Sequence, residues 1–360
     1  MIEIDWSVLF FVFLASASVC GLLVLTERWH GKLTHDHDLQ GAQKVHQHPV
    51  PRIGGVVVMA GLAFGTLGLY LIDSVAAPQM KHLIFCCLPT FLAGMWEDIT
   101  KRVSVTVRLW AAFLSACLAV MLVGAMLRRL NIPFVDDYVG TYWPIALMFT
   151  TFAVGGVINA VNIIDGLNGL ASGSVVLIMF GLGVMGYRYN DLLVVYMCAI
   201  GAATMLGFML FNYPFGKIFL GDGGAYLTGF WVAECAVMLL ARNPGVNTWL
   251  VLVICLYPVW ETGYSMWRRK VIEKTKTDQP DQGHFHHIIM HKLVKAKWLS
   301  PAAPGWKVHG LSSPVMWVLV LLCQSGMWLF PQSQKLALLG GGAFLVVYHL
   351  LYAGLQKPNK

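Results

Sequence analysis

The stretch 159-NAVNIIDGLNGLASG-173 lies between two apolar runs, 143–161 and 170–187, and its reading decides the fold. Each flanking run is close to 20 residues, which at 1.5 Å per residue matches the roughly 30 Å hydrocarbon core of a bilayer. The stretch is then a short polar turn joining two membrane spans. It sets Asn159, Asn162, Asp165 and Asn168 three residues apart. On a helix, three-residue steps drift by about 60° each, so the first three form a slanting polar stripe. Gly166 suits the C-cap of the first span and Asn168 the N-cap of the second. A carboxylate at a helix C-terminus faces the negative end of the helix dipole, which is unfavourable unless a cation compensates. Capping alone therefore leaves the acid, and two Asn on an apolar helix, without a complete account.

The rest of the chain has the same character. Of its 360 residues 57% are hydrophobic and 12% charged, and mean hydropathy is +0.65. Soluble domains carry about 25% charged residues. The fold class is all-α, a polytopic membrane protein forming one unit over 1–360. About eleven spans are expected, near 6–25, 54–72, 82–96, 106–125, 143–161, 170–187, 191–211, 223–241, 248–266, 312–330 and 336–354. The longest polar interval, 268–311, reads as a His-containing loop too short to bury a core of its own. The acidic start "MIEIDW" marks the first run as a retained span rather than a signal peptide. No internal repeat is evident. The eight cysteines form no C-x-x-C pair and read as small buried hydrophobes.

The net charge of +7 suggests membrane topology rather than nucleic acid. If the loop after the first span is cytoplasmic, only six of the 25 Lys and Arg fall on the opposite face: Lys81, Arg128, Arg129, Arg188, Arg242 and Lys335. That bias predicts the N-terminus outside and the C-terminus inside. It also puts "PRIGG", "WEDITKR", "DGLNGL", "FLGDGG" and "HFHH" on one, cytoplasmic, face.

Each of these segments has a bland reading beside a chemical one. Asp222, followed by Gly223 and Gly224, is either an N-cap or a Mg²⁺ ligand beside amides open to a phosphate, with Lys217 adding a cation. Glu97 and Asp98 are either a solvated turn paired with Lys101 and Arg102 or a pair of acids facing the shared surface. His284, His286 and His287 are suited to holding phosphate and tuning proton transfer near pH 7. A zinc site would use His287 and His291, but no H-E-x-x-H or Cys set completes it. Lys44 and Arg52, around Pro49 and Pro51, are either topology signals or anion contacts. Together the segments specify a divalent cation, phosphate contacts and cationic side chains at a membrane surface. That set suits phosphoryl transfer between a soluble nucleotide and a lipid phosphate.

In this order, "KVHQHPVPRIGG", "EDITK", "NAVNIIDGLNGLASG", "FLGDGGAYLTG" and "HFHH" resemble the polyprenyl-phosphate N-acetylhexosamine-1-phosphate transferase family, from about Lys44 to His291. The span count suits the branch that starts O-antigen or related envelope glycans. The resemblance implies a UDP-N-acetylhexosamine donor, an undecaprenyl-phosphate acceptor and Mg²⁺, with Mn²⁺ as a substitute. It implies UMP and a lipid-diphosphate sugar as products, in the bacterial inner membrane with the site facing the cytoplasm. Asp222 and Asp165 would hold the metal. Asp98, with Glu97, would bind or deprotonate the lipid phosphate, and His286 would join Asp165 in catalysis. His284 and His287 would hold the donor diphosphate with Arg52, Lys44 and Lys217, and Asn162 and Asn168 would contact the donor. Glu97 stands where the family has the first of two Asp, and Asn168 where it has the second acid of D-G-x-D. The His loop also lacks the H-H-H-F-E form of the muramoyl-pentapeptide transferases, which points to UDP-GlcNAc or a deoxy derivative. A homodimer is compatible with the sequence. A competing class is a secondary transporter of an anionic or lipid-linked solute, but such proteins place their acids near the midplane at broken helices. A third class, an intramembrane zinc hydrolase, needs the His cluster to bind metal.

Overall fold

Capping residues bound the apolar runs. Asp5 accepts from the Ser7 amide and starts α1 (Trp6–Leu25), which is followed by the short α2 (Glu27–Thr34). The computed structural model describes residues 2–34, 50–275, 281, 283–295, 305–330 and 333–356. Lys44 and the rest of "KVHQH" lie outside these. The next helices are α3 (Gly54–Leu71), α4 (Ala77–Thr100), α5 (Val105–Val123), α6 (Val135–Thr141), α7 (Trp143–Ile164) and α8 (Leu170–Arg188). They are followed by α9 (Leu192–Asn212), α10 (Gly221–Arg242), α11 (Thr248–Ile254), α12 (Leu256–Trp267), α13 (Phe285–Lys295), α14 (Gly305–Leu329) and α15 (Gln334–Gln356). Among the described residues, ten helices are long and apolar enough to cross a membrane.

The expected span at 248–266 is the exception. It is divided at Cys255 into α11 and α12. Pro258 explains the break, because its ring clashes with the carbonyl of Ile254 and it has no N–H to donate there. The expected short third span is instead the 24-residue α4. Its helix carries Pro89 inside, and the Thr90 amide bonds Ser115 Oγ at 3.1 Å. The extension puts Glu97 and Asp98 on the last turn of a helix rather than in a turn. The interval 268–311 is not simply a loop either: it holds a π-helical turn over Arg268–Glu273, then α13 and the start of α14.

The central helix is α10, packed against α3, α4, α7, α8 and α9. Its glycines let backbones meet: a Cβ on Gly94 of α4 would lie 2.6 Å from the Gly223 Cα. At the far end, Arg129 donates to the carbonyls of Pro244 and Val246. This clamp on the α10–α11 connection gives the out-of-place Arg129 a structural reason. All eight cysteines are free thiols, and seven are buried.

Candidate active site

The site end of α10 is assembled by backbone pairing. Phe219 donates to the Pro51 carbonyl at 2.8 Å, while Gly54 and Gly55 donate to the carbonyls of Phe219 and Leu220 at 3.0 and 3.1 Å. This pairing carries Arg52 to the start of α10. The helix has no side-chain cap of its own at Leu220. Asp98 of α4 supplies one, with Oδ1 accepting from the Asp222 amide at 2.9 Å and Oδ2 from the Gly223 amide at 2.8 Å. Gly221 makes room with φ +72°, since a Cβ there would fall 2.6 Å from Asp98 Oδ2. Asp222, expected at the cap, instead occupies the first turn. Its carboxylate accepts from Arg52 Nη2 at 3.2 Å, from Arg108 Nη1 and from Asn162 Nδ2 at 3.4 Å.

The turn between α7 and α8 differs from its expected capping. Asp165 itself is the C-cap, and Gly169, with φ +78°, is the N-cap of α8. Asn168 is one residue too early to cap. It turns inward, its Nδ2 donating to the Pro214 carbonyl at 2.9 Å. Asn159 back-bonds to the Gly155 carbonyl of its own helix, so only Asn162 and Asp165 of the stripe reach the site.

A cavity of about 290 Å³ opens here, lined by Arg52, Asn162, Asp165 and Asn168 from one side and by His284, His286 and His287 from the other. The His284 and His286 rings stack 5.5 Å apart and nearly parallel, at 4°. Burial pushes the Asp165 carboxyl up to about 7; Arg52 opposes this, and the negative charges of Asp222 and Asp98 reinforce it. Among the described residues, the Asp165 side chain makes no hydrogen bond or ion pair. His287 is pushed down to about 4 by burial and by its neighbours His284 and His291. It is therefore neutral at pH 7, and arginine rather than this imidazole supplies positive charge at the cavity.

Several sequence assignments are corrected by these contacts. The amides of Asp222 and Gly223 are occupied by Asp98, so they are not open to a phosphate. Asp98 has a fully buried side chain behind the cavity wall, with both oxygens engaged, which fits positioning rather than proton abstraction. Glu97 closes the α4–α5 turn by accepting from the Val103 amide at 2.8 Å, and it does not line the cavity. Lys217 is exposed, with its ammonium 6.0 Å from the Phe215 ring centre, also away from the cavity. Conversely, Arg108, Asn212 and Glu261 were not anticipated. Arg108 reads as one more topology signal, although an arginine one turn into an apolar run is a functional cue. Asn212 lines the cavity while bonding the Gly169 amide and the Ile218 carbonyl. Glu261 is a buried acid in the broken span, and it contacts His284.

The chain matches the family model described as glycosyl transferase family 4 over residues 80–240. A Yersinia pestis undecaprenyl-phosphate alpha-N-acetylglucosaminyl 1-phosphate transferase is 28% identical over 262 residues, which cover 70% of this chain and 69% of the relative. The Thermotoga maritima (strain ATCC 43589 / DSM 3109 / JCM 10099 / NBRC 100826 / MSB8) protein of the same name is 28% identical over 275 residues, covering 74% and 77%. That of Escherichia coli (strain K12) is 26% identical over 264 residues, covering 70% and 68%. Asp98, Asp165 and Asp222 all fall inside the stretch that matches glycosyl transferase family 4.

Proposed function

We propose that the protein transfers an N-acetylhexosamine-1-phosphate from a UDP-sugar to undecaprenyl phosphate, at the cytoplasmic surface of the bacterial inner membrane. The observation that carries this reading is the single cavity shared by Arg52, Asp165 and the three histidines, with Asp222 tied to Arg52. An acceptor phosphate oxygen attacks the sugar-linked phosphorus of the donor, and the bond from that phosphorus to UMP breaks. The phosphate is largely dianionic at pH 7, since a phosphomonoester's second pKa is about 6, so the attack needs no strong base. That agrees with an Asp98 already occupied by α10. Arg52 neutralises charge on the diphosphate, while His284 and His286 orient it. The membrane topology that puts the C-terminus inside gives the cavity access to a cytosolic nucleotide, and glycan assembly on undecaprenyl diphosphate is the corresponding pathway.

The donor set fits Mg²⁺. Mg²⁺ needs only one or two carboxylates, the rest of its shell being water and substrate phosphate. Asp165, which makes no hydrogen bond or ion pair among the described residues, lines the cavity; Asp222, paired with Arg52 and Arg108 beside that lining, would join it in holding the ion by exchanging one of those contacts. Among the described residues, no group of three or more His, Cys, Asp or Glu could cage a metal, as a structural zinc site requires. When bound, the ion would neutralise and polarise the diphosphate oxygens. Because Asp165 keeps its proton up to about pH 7, cation binding has to displace that proton below this pH. Mg²⁺ or Mn²⁺ affinity should therefore rise as pH rises through about 7 and then level off. Calorimetry in buffers of different ionisation heat should find proton release approaching one per ion at pH 6 and little at pH 8.5. Equal release at both values would remove Asp165 from the metal role.

The reading is tested by UMP release from a panel of UDP-sugars with undecaprenyl phosphate and Mg²⁺. UDP-GlcNAc or a deoxy-N-acetylhexosamine should be the best donor. No UMP from any N-acetylhexosamine donor would refute it.

A further inference from the structure

The histidine segment is held by a carboxylate that the proposed chemistry does not use. Glu261 lies on α12, and its side chain is 1% exposed. Its Oε1 accepts from the Phe285 amide at 2.9 Å, at the start of α13, and from His284 Nδ1 at 3.2 Å. Its Oε2 accepts from the Tyr348 hydroxyl of α15 at 2.7 Å. A second hydroxyl of the same helix, Tyr352, donates to the Gly283 carbonyl at 2.8 Å. The Phe285 ring is fully buried, 4.8 Å from Tyr348 and 6.0 Å from Tyr352 between ring centres. Asp281 completes the turn, accepting from the Gly283 amide at 2.7 Å and lying 3.6 Å from His284 Nε2.

This arrangement has the logic of Asp98 at α10: a buried carboxylate from another helix caps the helix that carries cavity groups. Here it does more. The contact from Oε1 to His284 Nδ1, together with Asp281 on the Nε2 side, holds the plane of the His284 ring. His286 stacks on that ring, so the constraint passes to a cavity-facing side chain. Tyr348 and Tyr352 lie far beyond residues 80–240, on α15, the last helix among the described residues.

We propose that Glu261, braced by Tyr348, is a positioning residue for the transfer reaction. It sets the place and ring orientation of His284, and through it His286, for the donor diphosphate, making α15 part of the donor site. This rests on the proposed reading of the cavity. Outer-shell groups that orient metal ligands typically cost about 10- to 100-fold when removed, and a loss on that scale is expected for a carboxylate that orients a histidine of the donor site.

The test uses the full-length purified protein. The kcat and both Michaelis constants are measured for wild type, Glu261→Ala, Glu261→Gln, Tyr348→Phe, His284→Ala and the Glu261→Ala/His284→Ala pair. Hydrogen exchange of the peptide covering 283–288 is followed alongside. Glu261→Ala should cut kcat/KM for the UDP-sugar about 10- to 100-fold, leave the acceptor KM unchanged and speed exchange at 283–288. Glu261→Gln, which keeps an oxygen for the Phe285 amide, should recover most of the loss. Tyr348→Phe should give a smaller loss of the same kind, which keeps the test open if Glu261→Ala does not fold. In the His284→Ala background Glu261→Ala should cost much less, because the two act through one ring. Equal damage to donor and acceptor parameters would overturn the proposal, as would a full multiplicative loss in the double variant or a Gln variant no better than Ala. If wild type turns over no UDP-sugar, the functional reading fails by itself. Exchange at 283–288, faster in Glu261→Ala than in Glu261→Gln, then still decides whether Glu261 holds the segment.

Discussion

Asp222→Asn is expected to lower transfer by about a thousandfold or more, roughly 4 kcal/mol of barrier, in a protein that still inserts and purifies. The carboxylate sits on the first turn of α10, between Arg52, Arg108 and Asn162. Asn keeps the shape and an oxygen but removes the charge that a hard cation needs and that the two arginines face. A stability loss is expected as well, because Arg108 stays partly buried without the Asp222 charge and Arg52 keeps the more distant Asp98 carboxylate at 3.7 Å. Arg108→Lys provides a control: it keeps a charge near Asp222 but loses the fork geometry and the stack on the Tyr226 ring, 5.6 Å away. It should retain far more activity than Asp222→Asn. Turnover and thermal midpoints measured together check both. Near-wild-type turnover in folded Asp222→Asn would remove this residue from the reaction.

Asp98→Ala should also be severe, at about a hundredfold in turnover, but for another reason. Two buried amides, those of Asp222 and Gly223, lose their acceptor, each at about 1–3 kcal/mol. The first turn of α10 then loosens exactly where Asp222 must be held, so metal affinity and turnover fall together. Asp98→Asn should lie between, since one oxygen still accepts while the amide nitrogen opposes a backbone N–H. A positioning role leaves the shape of the pH–rate profile as in wild type. Loss of its acid limb in both variants would instead make Asp98 the base.

Much of the architecture was legible because the bilayer imposes strong local rules. Length and hydropathy locate the spans, and the polar turn at 159–173 stands out against them. What was less legible depended on partners distant in sequence. Asn168 has the composition of an N-cap, but the chain makes its αL turn at Gly169, leaving Asn168 to bond Pro214. Gly223 and Gly224 resemble a phosphate loop, yet their small size serves contact with Gly94 and Gly55 of neighbouring helices. Pro258 lay inside an apparently continuous run, and hydropathy is insensitive to the carbonyl it leaves without a donor. Asp98, Asp165 and Asp222 were identifiable as polar residues at span ends. Which of them faces the cavity, and which supports another from behind, is a tertiary property. Arg108 and Glu261 were hidden by the same averaging, each a single charge diluted by apolar neighbours.

The most direct test of the account follows the donor's sugar-linked phosphorus. UDP-GlcNAc, or the best donor of the panel, labelled with ³²P at that position is incubated with purified protein, undecaprenyl phosphate and Mg²⁺. Transfer of the sugar-1-phosphate predicts label in the lipid product, unlabelled UMP in solution, and neither when EDTA removes the metal. Labelled UDP in solution with an unlabelled lipid sugar, or no conversion of the donor at all, would contradict it.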